Sequence, residues 1–259
     1  MEAVYKFSEI EIVSFAMVLI RISSFIVVWP IFGVETVPNS IKVLLALVLT
    51  LAVFPVLPRA IGVNDFGSPL LITMVIKEVF IGITFGFVAR AFFMATRVAG
   101  ELISLSVGLS GAQLYNPSMG GQTTPMDQLI YMLAALLYLA IDGHHLLLTG
   151  LVDTFRLIPI GPQMVNLKSL QQIGAVLQEV ISIGVRISAP VLISILMLNL
   201  VMGILGKTVP QINVLVTGLA VNLIVGLVVM IVALPHMMGE MPNLMENGFH
   251  RLFQLMRSF

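Results

Sequence analysis

The chain has 259 residues, of which 58% are hydrophobic and only 10% charged, with a mean hydropathy of +1.06. A soluble chain of this length carries roughly 65 charged side chains; here 13 cations balance 13 anions, which leaves no basic field for nucleic acid and too little charge for a solvated surface. The apolar content excludes disorder, and the absence of cysteine excludes disulfide scaffolds, thiol catalysis and cysteine-ligated metal sites. The composition is that of a polytopic membrane protein.

Before the first apolar run, Glu2, Glu9 and Glu11 surround the early cation Lys6, unlike the basic start of a secretory signal, and no small-x-small cleavage site follows. That run is therefore expected to be a retained first helix. About 20 apolar residues cross a hydrocarbon core, and six segments qualify. They are residues 12–32, 41–56, 70–95, 128–152, 173–205 and 212–235. Arg21 interrupts the first, Lys77 and Glu78 the third, Glu179, Arg186 and Pro190 the fifth, and the sixth has no charge. Six spans place both termini on one side, but lysines and arginines are too evenly divided between the two faces to choose which. The pattern predicts an all-α membrane protein of about six broken hydrophobic helices arranged as hairpins, with an irregular loop between helices three and four.

In chain order, the turn after the first span reads Thr36-Val37-Pro38-Asn39 and the one after the fifth reads Thr208-Val209-Pro210-Gln211, each followed by a similar apolar run. Proline suits the start of a returning helix, so either two related hairpins or a coincidence of common turns is present. After the third span, Gly100, Ser104, Gly108 and Ala112 recur every fourth residue, a small-residue stripe that lets helices approach closely. The stretch Ser110-Gly111-Ala112-Gln113-Leu114-Tyr115-Asn116-Pro117-Ser118-Met119-Gly120-Gly121-Gln122 has no charge and is too rich in glycine and proline for a continuous helix. Such backbone sits at membrane depth only where protein buries it or a wet cavity receives it. A pore-facing or re-entrant element fits, and an external loop is the plainer alternative. Past Pro235, the tail from residue 239 to 259 has the spacing of an amphipathic helix.

Chemistry is sparse. The one His/Asp cluster is Asp142-Gly143-His144-His145. Adjacent helical histidines project about 100° apart, so the cluster is expected to cap a helix or bond near a membrane surface, with no metal held. Ser104, Ser106 and Ser110 lack a partnered base, and Gly203 to Thr208 fails the spacing of a phosphate loop. No catalytic residue and no cofactor are expected. Charges at span centres cost about 2.5–3.5 kcal/mol on insertion scales, so Arg21, Lys77, Glu78, Glu179 and Arg186 are expected to seek other helices or subunits. Arg97 and Glu101 stand four residues apart and can pair along one helix. A competing class is an autonomous ion-coupled transporter with a site built from Lys77, Glu78, Glu179 and Arg186.

Several short stretches, in order, carry a resemblance: Val37-Pro38 with Lys42, Gly100-Glu101-Leu102-Ile103 through Gly108-Leu109-Ser110, Asn116-Pro117, Gly143-His144, Val152-Asp153-Thr154-Phe155, Pro159-Ile160-Gly161, Leu198-Asn199-Leu200 and Pro210-Gln211. Together they resemble the flagellar biosynthetic protein FliR family of type III secretion export gates, over nearly the whole length; the injectisome counterpart used in virulence shares the layout. The resemblance implies a single-copy, non-enzymatic subunit that builds a closed pore with several copies of FliP and FliQ in the bacterial inner membrane, within the flagellar basal body. It implies a FliP-like unit over residues 1–172, including a plug loop at about 108–126, then a FliQ-like hairpin over 173–238 and the tail over 239–259. The plug role falls on Ser110 to Gln122. The tip Lys207-Thr208-Val209-Pro210-Gln211 would face the cytoplasm and meet FlhB. FlhA, membrane lipid and unfolded flagellar proteins in transit complete the implied partners, and nucleic acid is not among them. The loop is poorer in aromatics than the family leads one to expect.

Overall fold

The computed structural model describes residues 9–33, 37–57, 69–110, 124–161, 170–209, 211 and 213–257. Among them the elements are α1 (Glu9–Val28), α2 (Asn39–Val53) with a 3₁₀ turn at Phe54–Val56, α3 (Pro69–Val107), α4 (Pro125–Ala140), α5 (Gly143–Leu157), α6 (Leu170–Thr208) and α7 (Val214–Arg257). Five helices are long and apolar enough to cross a membrane, and α4 with α5 makes a sixth if the broken pair is one span.

Two compact units are formed from discontinuous stretches. The first comprises residues 1–90, 142–174 and 248–259, and the second residues 91–141 and 175–247.

In the first unit, α1 opens with Glu9 and Glu11 in its first turn, where carboxylates complement the helix dipole. It buries Met17, Val18, Arg21, Ile22, Phe25 and Ile26, an i, i+1, i+4, i+5 stripe that keeps one face inward. The helix stops before Trp29-Pro30, because a residue preceding proline is pushed out of the helical region. Phe25 then meets Phe85 at 5.5 Å between ring centroids. A Cβ on Gly82 would run into the Arg21 carbonyl oxygen and Ser24 Cβ; only glycine lets α3 lie this close to α1. In α2 just Ala46 and Thr50 are buried, while Ile41, Val43, Leu44, Leu47, Val48 and Leu51 stand exposed. On α5, Gly143, Leu147, Gly150, Leu151, Thr154 and Phe155 form the inward face at three- and four-residue spacing.

In the second unit the core joins Ala99, Ile103 and Val107 of α3, Met126, Ile130 and Ala134 of α4, Ile187, Val191 and Ile195 of α6 and Met230 and Met237 of α7. In lipid such faces are held by packing and hydrogen bonds rather than by release of water. Both long helices tolerate internal proline: Pro190 in α6, and Pro235 and Pro242 in α7.

Three boundaries differ from the sequence expectation. The third span was expected to end near residue 95, yet α3 runs 39 residues to Val107, about 58 Å of helix, because no proline or helix-breaking pair interrupts it before Gly108. The fourth, expected over residues 128–152 with no break point assigned, divides at Asp142, a non-glycine residue in the left-handed region at φ 55. The returning helix of the last hairpin starts at Val214, where the Asn213 side chain accepts from Val216 N at 3.3 Å; the cap lies three residues past Pro210. The tail continues α7 to Arg257.

Candidate functional site

Both ends of the uncharged loop are anchored in the second unit. At its start, α3 closes on Gly108 at φ +93. Leu109 N donates to the Ser104 carbonyl at 3.0 Å and Gly108 N to the Leu105 carbonyl at 3.2 Å, the paired bonds of a Schellman cap. Next, the buried Ser110 hydroxyl donates to Ser104 Oγ at 3.1 Å. At its end, Thr124 caps α4 by accepting from Asp127 N at 3.2 Å, with Pro125 at the first helical position. Residues 111–123, which carry the rest of the expected plug, lie outside the described residues.

The two anchors meet across Gly100. A Cβ there would lie 2.5 Å from Asp127 Cα and 2.9 Å from Asp127 N, so the middle of the stripe touches the first turn of α4. At Gly108 a Cβ would meet Leu219 Cδ1. Asp127 is buried, and its Oδ1 has no hydrogen-bond partner among the described residues. Arg97, expected to pair with Glu101, places its guanidinium 4.9 Å from the Tyr131 ring centroid, an aromatic face one turn along α4 from Asp127. Thr124 and Asp127 were missed in the sequence, although Thr124-Pro125-Met126-Asp127 carries the S/T-x-x-D/E pattern of a helix start.

The close packing at Gly100 leads to an expected result. Gly100→Ala should destabilise the second unit by about 1–3 kcal/mol through backbone displacement, more than alanine gains as a helix former. The measurement is thermal unfolding in detergent, and an unchanged midpoint would contradict the contact.

In the first unit the charges within spans find partners inside the chain. Fully buried Arg21 donates from Nε to Glu78 Oε2, from Nη1 to Thr154 Oγ1 at 3.3 Å and from Nη2 to the Ile158 carbonyl at 3.0 Å. Its guanidinium also stacks 4.1 Å from the centroid of the Phe155 ring. Lys77 Nζ donates to the carbonyls of Pro159 and Gly161, both at 3.1 Å. Thus α1, α3 and the end of α5 are stitched by one buried network. Arg21 and Glu78, expected to seek other helices or subunits, are each other's counter-charge on neighbouring helices, while Lys77 is held by two neutral carbonyls. In the second unit, Glu179 is half-buried and Arg186 exposed on α6.

At the α6–α7 tip, Lys207, Thr208, Val209 and Gln211 are exposed, and Thr208 Oγ1 donates back to the Leu205 carbonyl at 3.0 Å. Pro210 lies outside the described residues. Deeper in the hairpin, Asn222 Nδ2 donates to Asn199 Oδ1 at 3.0 Å, a polar clasp between two apolar helices.

The His/Asp cluster stands at the start of α5. Asp142 occupies the N-cap position of α5, but its side chain makes no cap hydrogen bond; it stands 3.2 Å from His145 Nδ1. The His144 and His145 rings, expected to diverge, stack at 4.1 Å between centroids. One ligand atom from each of the three residues lies within 4.8 Å of the others. The two rings thus meet although successive Cα–Cβ directions on a helix diverge.

Long apolar helices, a buried Arg21–Glu78 ion pair and a loop capped at both ends define a multi-pass, all-α membrane protein. Residues 12–248 match the family described as bacterial export proteins, family 1. The flagellar biosynthetic protein FliR of Escherichia coli (strain K12) is 32% identical over 238 residues, covering 88% of this chain and 90% of that protein. The FliR of Bacillus subtilis (strain 168) is 31% identical over 85% of this chain and 86% of its own length. That of Aquifex aeolicus (strain VF5) is 28% identical over 97% of each. The chain belongs to this export-protein family, among the FliR proteins.

Proposed function

We propose that the chain is a non-catalytic subunit of the flagellar export apparatus, present once in an export gate built with FliP and FliQ in the bacterial inner membrane. Kinship with FliR proteins along almost the whole chain carries this reading. The flagellar names of those relatives favour motility over virulence use. Exposed apolar surface supports an assembled state: only 11% of the α2 span and 17% of the α7 span is buried within the chain, so lipid or neighbouring subunits must cover the rest.

In this reading residues 110–122 plug the channel at rest and move aside for unfolded flagellar proteins. Ser104, Gly100 and the Thr124 cap hold the ends of the plug so that only its middle is displaced. The small-residue stripe at Gly100, Ser104 and Gly108 serves this anchoring. The tip at residues 207–211 faces the cytoplasm and contacts FlhB, with FlhA beyond it, and Arg186, exposed on α6, contacts another subunit. An autonomous transporter is disfavoured, since Lys77 is held by the Gly161 and Pro159 carbonyls and Glu78 Oε2 by Arg21.

The test is affinity purification of the tagged chain from native membranes, with mass spectrometry of what accompanies it. FliP and FliQ relatives in excess over the tagged chain are expected. An isolated chain that moves a solute in liposomes would overturn the reading.

A further inference from the structure

We infer that Asp142, His144 and His145 form a binding site for a late first-row divalent cation of the zinc class. Two imidazoles and one carboxylate suit such ions, whereas magnesium and calcium call for oxygen ligands. Bonds of about 2.1 Å arranged tetrahedrally need donors about 3.4 Å apart. The Asp142 Oδ1 and His145 Nδ1 atoms are already 3.2 Å apart, and all three ligand atoms fall within 4.8 Å. The side chains of His145 and Asp142 are 69% and 71% exposed, so both are free to rotate toward an ion, while His144, half-buried, is the more fixed of the three ligands.

Asp142 does not make the usual use of its position. An aspartate at an N-cap normally accepts from the backbone N–H groups of the first turn, and the Asp142 carboxylate does not. Its left-handed backbone instead turns that carboxylate toward His145. The start of a helix repels a cation, and the ligand carboxylate offsets that repulsion. Three protein ligands leave a fourth position for water or for a group from a partner. A bound ion would pin the Asp142 turn to the first turn of α5, just where the fourth span is broken.

The test uses the full chain in detergent, purified without a polyhistidine tag and titrated with CoCl2, whose visible absorption reports the ligand field. One equivalent bound, displaced by ZnCl2, is expected. His145→Ala and Asp142→Asn should each weaken binding about tenfold or more, while His236→Ala, an exposed histidine on α7, should leave it unchanged. A Zn²⁺-dependent rise in melting temperature, present in the parent and lost in His145→Ala, gives a second readout. Because His145 is exposed, its truncation leaves the packing intact. No cobalt spectrum in the parent, or equal affinity in parent and cluster variants, would overturn the proposal.

Discussion

Glu78→Ala is expected to destabilise the first unit by about 3–5 kcal/mol, the usual cost of removing one member of a buried ion pair. The truncation leaves the Arg21 guanidinium buried, with only neutral oxygens at Thr154 and Ile158 and the Phe155 face around it. In a membrane-embedded unit no water stands ready to replace the lost carboxylate. Domains hold only about 5–15 kcal/mol in total, so the variant should be depleted from membranes and degraded. Glu78→Gln should fall in the same direction, because it keeps the shape and removes the charge.

A double variant separates charge from packing. Arg21→Met with Glu78→Leu removes both charges and should recover much of the loss, as apolar replacements of buried pairs often do. Recovery should stop short by about 1–3 kcal/mol. The Ile158 carbonyl loses its donor from Arg21. Thr154 suffers less, since its hydroxyl still donates to the Leu151 carbonyl at 2.6 Å. Melting temperatures in detergent and steady-state membrane levels measure both effects; a Glu78→Ala chain as stable as the parent would mean that the pair does not form.

The contrast between these charges and the spans around them explains what was legible in the sequence. Apolar runs near 12–32, 41–56 and 173–205 announced helices because periodicity and length are local properties. The break at Asp142 was local too, and its Asp-Gly dipeptide is a known turn signal, but a hydropathy average over residues 128–152 smooths one residue away. The Arg21–Glu78 partnership spans 57 positions and depends on Gly82 bringing α3 onto α1, which no window reveals. Likewise the stripe at Gly100, Ser104 and Gly108 was readable as small residues, whereas its neighbour, the first turn of α4, was not. For the histidines, ideal helix directions did not foretell the 4.1 Å ring contact, because side chains at a helix start are not bound to them.

Replacing residues 111–122 by a short glycine-serine linker should leave the assembly intact and make it leak small solutes. The replacement spares Ser110 on Ser104, the Gly108 cap and the Thr124 cap on Asp127, so the ends of α3 and α4 keep their caps and the close approach at Gly100 is untouched. It removes a segment with no charge and several amides and hydroxyls, groups that lipid would not tolerate unpaired but that a closed protein-walled channel can hold. If that segment fills the channel, its loss opens a water path with no change in subunit composition, and dye or solute entry into cells should rise against an unaltered set of co-purifying proteins. If it lies outside the channel, permeability should match the parent. Single cysteines placed along 111–122 give an independent reading: in the closed assembly they should resist membrane-impermeant thiol reagents and become reactive while a substrate is stalled in transit. Ready labelling at rest would remove the occluding role and leave the loop an ordinary surface connection.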